Sequence, residues 1–278
     1  MWEIHSEDGH KKTNDEVIIA VYQNLRDVLG HQRRIARARI APNYCLVIHM
    51  PKCGGTALRE AVRSARLANI EVTDHVRLNE HWTQQGRLRR SPSVTAGLIR
   101  EPLTWLRSYT AFRAEKLRTG LQSPTNFPYD HPISILINGS TSSLATATTN
   151  QNDPDFLLRA EQKFPQVTLY GRQIESPFGF MRKTGSGFWT WSILYHYGSQ
   201  TMNALDSPAQ VESQVRQIRD SVLLLRQECL AQDAERTLGI PRQSFSRLRV
   251  SQSTEEDLQP LVPNTMDAWA YATLSNVM

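Results

Sequence analysis

The chain has 278 residues, of which 40% are hydrophobic and 21% charged, a balance typical of a globular protein with a hydrophobic core. It lacks both the roughly 20 consecutive apolar residues of a membrane-spanning helix and the apolar core of a secretory signal, so we expect a cytoplasmic protein without a membrane span. The net charge of +5 favours anionic partners. Three widely spaced cysteines (Cys45, Cys53 and Cys229) make neither a disulfide framework nor a metal site.

The N-terminal segment, residues 1–43, is predicted to be a helical and basic appendage to a domain that spans 44–278. Apolar residues at helical spacing predict an amphipathic helix over 14–29. The arginine-rich stretch 31–39 follows, and its role stays open. Because it has no interleaved aromatic residues and no recognisable nucleic-acid-binding motif, we expect no nucleic-acid partner.

A strand, a glycine turn and a helix come next along the chain. The continuous apolar run at 44–50 predicts a strand that is buried on both faces. The turn is PKCGGT, and residues 56–68 place Leu58, Ala61, Val62 and Ala65 on one helical face. This order is typical of the first unit of a parallel α/β sheet.

Two further strands are predicted at 69–76 and 93–100. Pro102 then fits the first turn of a helix that continues over 103–117. An N–H group in the first turn of a helix has no intrahelical partner, so the N–H that proline lacks is not needed there. The recurring pattern predicts the fold class: an α/β protein in which a parallel sheet lies between two layers of helices.

The second half of the chain is less regular. Residues 122–155 are interpreted as mostly irregular, with one short apolar element at 133–137, and 155–164 as a helix. The last core strand is predicted at 219–226, followed by a helix that ends at Gly239. An aromatic cluster is interpreted as a core helix, with stacking on a sugar as the alternative; it comprises Trp189, Trp191, Tyr195 and Tyr197.

The glycine turn has the properties of an anion site. A helix N-terminus offers unpaired N–H groups and a positive dipole end, and glycines let the backbone approach an anion closely. A lysine adds a charge and a threonine adds a hydroxyl. The lysine precedes the glycines, so the turn is not the ATP-binding Walker pattern. The residues concerned are Pro51, Lys52, Cys53, Gly54, Gly55 and Thr56.

With this turn the sequence resembles the sulfotransferases that use 3′-phosphoadenosine 5′-phosphosulfate (PAPS), and above all the carbohydrate sulfotransferases. The resemblance implies a P-loop NTPase-like sulfotransferase fold in which the turn holds the 5′-phosphosulfate and Lys52 contacts the bridging oxygen. It also implies an Arg-x-Pro segment with a serine eight residues after the arginine, and Arg100, Pro102 and Ser108 fit this pattern. Arg100 and Ser108 would then hold the 3′-phosphate.

The resemblance also implies a catalytic base between these two motifs. His75, at the predicted end of the second strand, is the first candidate, because an imidazole can accept a proton near neutral pH. His81 and Glu80 are the alternatives.

Two weaker similarities concern the C-terminal half. Arg182, Lys183 and Gly185 resemble a 3′-phosphate-binding segment, although they lie before the late strand rather than after it. Asp267 and Tyr271 loosely resemble the tail of carbohydrate sulfotransferases.

The expected activity is sulfuryl transfer from PAPS to a hydroxyl or amine of a small molecule or glycan. No metal is expected, and the acceptor and the oligomeric state stay open. The alternatives are a P-loop-type kinase or other NTPase, and a non-catalytic binding protein on a sulfotransferase fold.

Overall fold

The computed structural model describes most of the chain from residue 44 onward. The described residues are 44–73, 77–78, 92–118, 131–137, 144–170, 172–200, 202–245, 261 and 263–275. The predicted helix at 14–29 and the whole 1–43 appendage lie outside them.

The central element is a four-stranded sheet in which every neighbouring pair is parallel. The strand order is β2-β1-β3-β6. Because the strands run the same way, the segments that follow them meet at one edge of the sheet. The strands are β1 (Cys45–His49), β2 (Ile70–Val72), β3 (Val94–Ile99) and β6 (Leu223–Arg226).

Helices flank this sheet, as the sequence predicts. Their bounds are α1 (Gly55–Ser64), α2 (Pro102–Arg118), α3 (Pro132–Leu136), α4 (Leu144–Gln151), α5 (Pro154–Lys163), α6 (Pro177–Thr184), α7 (Phe188–Tyr197), α8 (Pro208–Ser221), α9 (Leu230–Leu238) and α10 (Thr265–Ser275). A separate antiparallel hairpin joins β4 (Gln166–Leu169) to β5 (Arg172–Glu175). None of the helices in the described part is long and apolar enough to cross a membrane.

The hydrophobic core follows the apolar patterns. All five residues of β1 are buried, including Cys45, and α7 is buried along its entire length. This burial confirms that the aromatic cluster of α7 belongs to a core helix. Gly239 adopts a left-handed conformation with φ 66° and ends α9, as predicted.

The interpretation of 122–155 as irregular is wrong where α4 forms. Threonines give this segment little intrinsic helix propensity, but tertiary contacts compensate. Leu144 and Ala147 are buried in the core, and the Asn150 side chain donates to the Leu136 carbonyl at 2.7 Å. The strand predicted at 219–226 is also too long, because α8 continues to Ser221 before β6 begins.

Candidate functional site

The glycine turn connects β1 to α1 at the carboxyl edge of the sheet. Two of its residues have left-handed backbones, Lys52 with φ 66° and Gly54 with φ 87°. Gly55 is the first residue of α1, and a Cβ there would lie 2.1 Å from His49 Cδ2. The turn can therefore pass over the His49 ring only because residue 55 is a glycine.

The backbone N–H groups of this turn have no hydrogen-bond acceptor in the described part of the chain. None of the N–H groups of residues 52–56 donates to an acceptor within the described residues. Gly54 is the N-cap of α1 and offers no side chain, and the first turn of α1 contains no acidic residue. A row of N–H donors at the positive end of a ten-residue helix is thus available to an anion.

Two cations border these amides. Arg100 follows β3, and its Nη1 donates to the Lys52 carbonyl at 3.2 Å. The Lys52 ammonium lies 3.9 Å from the centre of the Phe112 ring. Burial and the nearby Arg100 charge lower the pKa of Lys52, and burial lowers that of Arg100. The Arg100 charge therefore disfavours the protonated form of Lys52 in a partly desolvated site.

One hydrogen-bond donor of the Arg100 guanidinium is not used within the described structure. This donor is Nε, which is buried and has no partner among the described residues. A buried donor without an acceptor is uncommon and is expected to have a partner in some state of the protein. Since Nη1 already contacts the Lys52 carbonyl, the remaining donors of the guanidinium can bind an anion without releasing the turn.

Ser108 lies on α2 and is half-buried. It does not hydrogen-bond to Arg100. Residues four apart share a helix face, so Ser108 lies one turn before Phe112, the ring that the Lys52 ammonium covers. Lys52 and Arg100 thus lie at the same turn, and Ser108 lies one helical turn from the ring that Lys52 contacts. His75, His81 and Glu80 lie outside the described residues.

The sequence reasoning missed the residues that support the turn from behind. Trp105 Nε1 donates to the Pro51 carbonyl at 2.8 Å. The Tyr197 hydroxyl accepts from Leu98 N–H at 3.1 Å and donates to the Leu98 carbonyl at 2.7 Å. It also accepts from Met50 N–H at 3.4 Å. Aromatic side chains with a polar group that hydrogen-bonds are common in cores, so the sequence carried no distinct signal for this role.

A second missed residue is Glu228, just after β6. One of its carboxylate oxygens accepts from the backbone N–H of Glu101 at 2.7 Å, and the other accepts from the Tyr271 hydroxyl at 3.3 Å. The charge of Glu228 opposes the lowering of the Arg100 pKa. Glu228 therefore links the ends of β3 and β6 and offsets part of the positive charge of the site. Tyr271 acts here as its hydrogen-bond donor.

The remaining C-terminal candidates have defined contacts. Arg182 Nη2 forms a salt bridge with Glu161 at 2.9 Å. Gly185 ends α6 with φ 67°, a conformation that favours glycine. Asp267 is buried and accepts from the backbone N–H groups of Gly187 and Thr190 at 3.1 and 2.9 Å, which caps α7. Burial raises the pKa of Asp267 to about 6.

A cleft of about 530 Å³ lies beside α7, and Arg77 borders it from the segment after β2. Arg77 Nε donates to the Tyr195 carbonyl at 3.2 Å, and its guanidinium carbon lies 4.7 Å from the centre of the Tyr195 ring. The Trp191 and Tyr195 rings stack with their centres 5.0 Å apart. The cleft also includes the charged side chains Glu161, Glu175 and Lys183.

Within the described ranges, no group of three or more His, Cys, Asp or Glu side chains could hold a metal ion.

Cys53 lies within the glycine turn but is fully buried, and burial raises the pKa of its thiol. Because burial disfavours the reactive thiolate form, we interpret the Cys53 side chain as a packing residue.

Comparison with known proteins gives no match: no protein-family model, no curated protein and no solved structure is similar to this chain.

Proposed function

We propose that this protein is a sulfotransferase that moves a sulfuryl group from PAPS to a hydroxyl or amine of an acceptor. One observation carries the proposal. The uncommitted amides of residues 52–56 lie beside Lys52 and Arg100, and the buried Nε of Arg100 has no partner among the described residues. This arrangement suits an oligoanionic ligand.

The residues present fit the donor. The amides of the turn and the Lys52 ammonium would hold the 5′-phosphosulfate, while Arg100 and Ser108 would hold the 3′-phosphate. PAPS supplies the activated sulfuryl group. Lys52 would stabilise the negative charge that develops on the leaving phosphate oxygen. This stabilisation is strongest when the ammonium is already positioned before the reaction.

The acceptor would bind on the side of the cleft that borders α7. The charged side chains that line this cleft suit a polar molecule, and a carbohydrate hydroxyl is the acceptor we favour. The base that accepts its proton is proposed among His75, His81 and Glu80. Transfer of labelled sulfate from PAPS to a panel of glycans and small alcohols tests this part of the proposal.

Calorimetry with adenosine 3′,5′-bisphosphate and 5′-AMP tests the donor site. Loss of a charge-assisted contact to the 3′-phosphate costs about 1.5–3 kcal/mol, which corresponds to a 10- to 150-fold weaker affinity. Arg100→Ala should therefore reduce the difference between the two nucleotides. Arg219→Ala is the matched control, because Arg219 is half-buried on α8 and its salt bridge in the described structure is to its neighbour Asp220.

Equal affinity of the wild-type protein for both nucleotides would contradict the roles of Arg100 and Ser108. Binding that depends on magnesium, with a preference for ATP, would instead favour a kinase or other NTPase. Tight binding of the bisphosphate without transfer to any acceptor would favour the non-catalytic binding protein.

Lys52→Ala tests the chemical role of the turn. Because charge on the leaving oxygen grows in the transition state, this variant should lower turnover more than it weakens binding of the bisphosphate. Unchanged turnover with only an altered affinity would assign Lys52 to binding alone.

A further inference from the structure

Four phenol and imidazole side chains form two hydrogen-bonded pairs. Tyr109 Oη lies 3.1 Å from His131 Nε2, and Tyr170 Oη lies 3.2 Å from His196 Nε2. The two phenols lie near enough for each to affect the pKa of the other, so the pairs form one group. Tyr109, His131 and His196 are at most 5% exposed, whereas Tyr170 is half-buried. The group therefore reaches the surface at Tyr170.

The first hydrogen bond of the group has a defined direction. His131 is the N-cap of α3, and its Nδ1 accepts from the backbone N–H of Ile133 at 3.1 Å. Burial and the nearby Arg113 charge hold the pKa of His131 well below 6.5. The imidazole is thus neutral and carries its only proton on Nε2. His131 therefore donates to Tyr109 Oη.

The second hydrogen bond can pass a proton to His196 in one direction only, with the Tyr170 hydroxyl as donor and His196 Nε2 as acceptor. Burial raises the pKa of Tyr170 well above 10, so the phenol keeps the proton that this direction requires. A neutral His196 then carries its own proton on Nδ1. In this direction the two histidines are opposite tautomers, and His196 Nε2 is the terminal proton acceptor.

Two helices fix this group relative to the turn. Helix α2 contributes Tyr109 and, one turn earlier, Trp105, which donates to the Pro51 carbonyl. Helix α7 contributes His196 and, next to it, Tyr197, which contacts the amide of Met50. The backbone of Tyr170 is left-handed, with φ 52°. Such strained backbones at non-glycine residues are concentrated at functional sites.

We propose that Tyr170 and His196 are the proton-accepting pair for the acceptor hydroxyl, with Tyr170 in contact with the acceptor and His196 holding the proton. The inference rests on the proposed sulfuryl transfer and names a base other than His75, His81 or Glu80. The adjoining cleft supports it, because Tyr195 lines that cleft and the centre of its ring lies 5.3 Å from that of the His196 ring.

The chemical step balances. The acceptor oxygen forms a bond to sulfur while the bond from sulfur to the bridging oxygen breaks, and that electron pair leaves with the phosphate oxygen beside Lys52. The acceptor proton passes to Tyr170 Oη as the Tyr170 proton passes to His196 Nε2. This leaves a neutral tyrosine and an imidazolium. Burial raises the pKa of Tyr170 well above 10, so the phenol stays protonated and acts as a relay.

Nitrogen-15 NMR of the full chain labelled in histidine tests the direction of the bonds without any assay of activity. The expected result is a neutral His131 protonated on Nε2 and a neutral His196 protonated on Nδ1. Signals are assigned with His131→Gln and His196→Gln. A neutral His196 protonated on Nε2 would overturn the proposal, because it could not receive a proton from Tyr170.

Kinetics test the role of the pair. Tyr170→Phe and His196→Gln should each lower kcat by about 10²-fold or more, since general-base catalysis contributes about 10²–10⁴-fold. KM for PAPS should stay within about twofold of wild type, and the double variant should lose little more than either single one. Tyr44→Phe is the control, because it removes a buried tyrosine hydroxyl that donates to Glu71. Tyr44 precedes β1 and therefore lies at the opposite edge of the sheet.

Calorimetry on the same proteins separates the two proposals. A wild-type protein that does not bind adenosine 3′,5′-bisphosphate refutes the sulfotransferase and, with it, the relay. A wild-type protein that binds and transfers, but whose Tyr170→Phe variant keeps its kcat, refutes only the relay. Additive losses in the double variant would likewise refute it, because the two side chains would then act independently.

Discussion

The substitution Gly55→Ala measures how closely the glycine turn is packed against β1. The added Cβ would lie 2.1, 2.3 and 2.5 Å from three atoms of the His49 ring. His49 is only 5% exposed and ends a strand with neighbours on both sides, so its ring cannot move away freely. Overpacking of this kind costs about 1–3 kcal/mol. The gain in helix propensity, about 1 kcal/mol at an interior position, is smaller at the first helical residue.

Urea unfolding of Gly55→Ala should therefore show a free energy of unfolding lower by about 1–3 kcal/mol. The control is Glu60→Ala, an exposed position on the same helix, where a change within about 0.5 kcal/mol is expected. His49→Ala removes the clashing ring, so Gly55→Ala should cost much less in that background. An unchanged or higher stability of Gly55→Ala, or additivity with His49→Ala, would refute the reasoning.

Two further predictions concern buried groups around the site. Tyr197→Phe leaves the Met50 and Leu98 polar groups without their hydroxyl partner, so it should lower the free energy of unfolding by about 1–3 kcal/mol; an unchanged urea midpoint would contradict this. Burial raises the pKa of Asp267 from its ordinary 3.8 to about 6, so the folded state binds the carboxyl proton more tightly than the unfolded state does. The stability that this protonation contributes is therefore lost as the pH rises from about 3.8 through 6. Asp267→Asn should therefore gain stability relative to wild type over this range in pH-dependent urea titrations, and a constant difference would show that Asp267 does not titrate there.

The elements that could be predicted from sequence are those whose local pattern and tertiary role agree. The run from Cys45 to His49 is apolar throughout and is buried throughout, so its continuous hydrophobicity predicts a central strand. The glycine turn followed in the predicted place, because the left-handed backbone at Gly54 requires glycine. The parallel sheet followed from the repetition of this unit.

The elements that could not be predicted depend on distant contacts. Helix α4 has a weak local preference and forms because its buried face packs on the core. In the hairpin, β4 is only four residues long, and β5 is polar and mostly exposed, so neither strand has a strong alternating pattern. Tyr197 contacts β1 across 147 and 149 residues of chain, a distance over which no local pattern carries information.

The same limit applies to the candidate site. Lys52 and Arg100 are grouped in space as their motifs imply, since both follow parallel strands at the same sheet edge. The relay of Tyr170 and His196 has no motif, because it depends on a hydrogen bond between the hairpin and α7.

The glycine turn and the proposed relay share a support. Helix α7 contacts the Met50 amide through Tyr197 and carries the preceding residue, His196, which hydrogen-bonds to Tyr170. Because adjacent side chains of one buried helix make both contacts, a shift of this helix would move the turn and the proposed proton acceptor together. The proposed sulfuryl transfer would require the nucleophile, the sulfur and the leaving oxygen to keep a fixed alignment. Helix α7 would contribute to that alignment through both contacts.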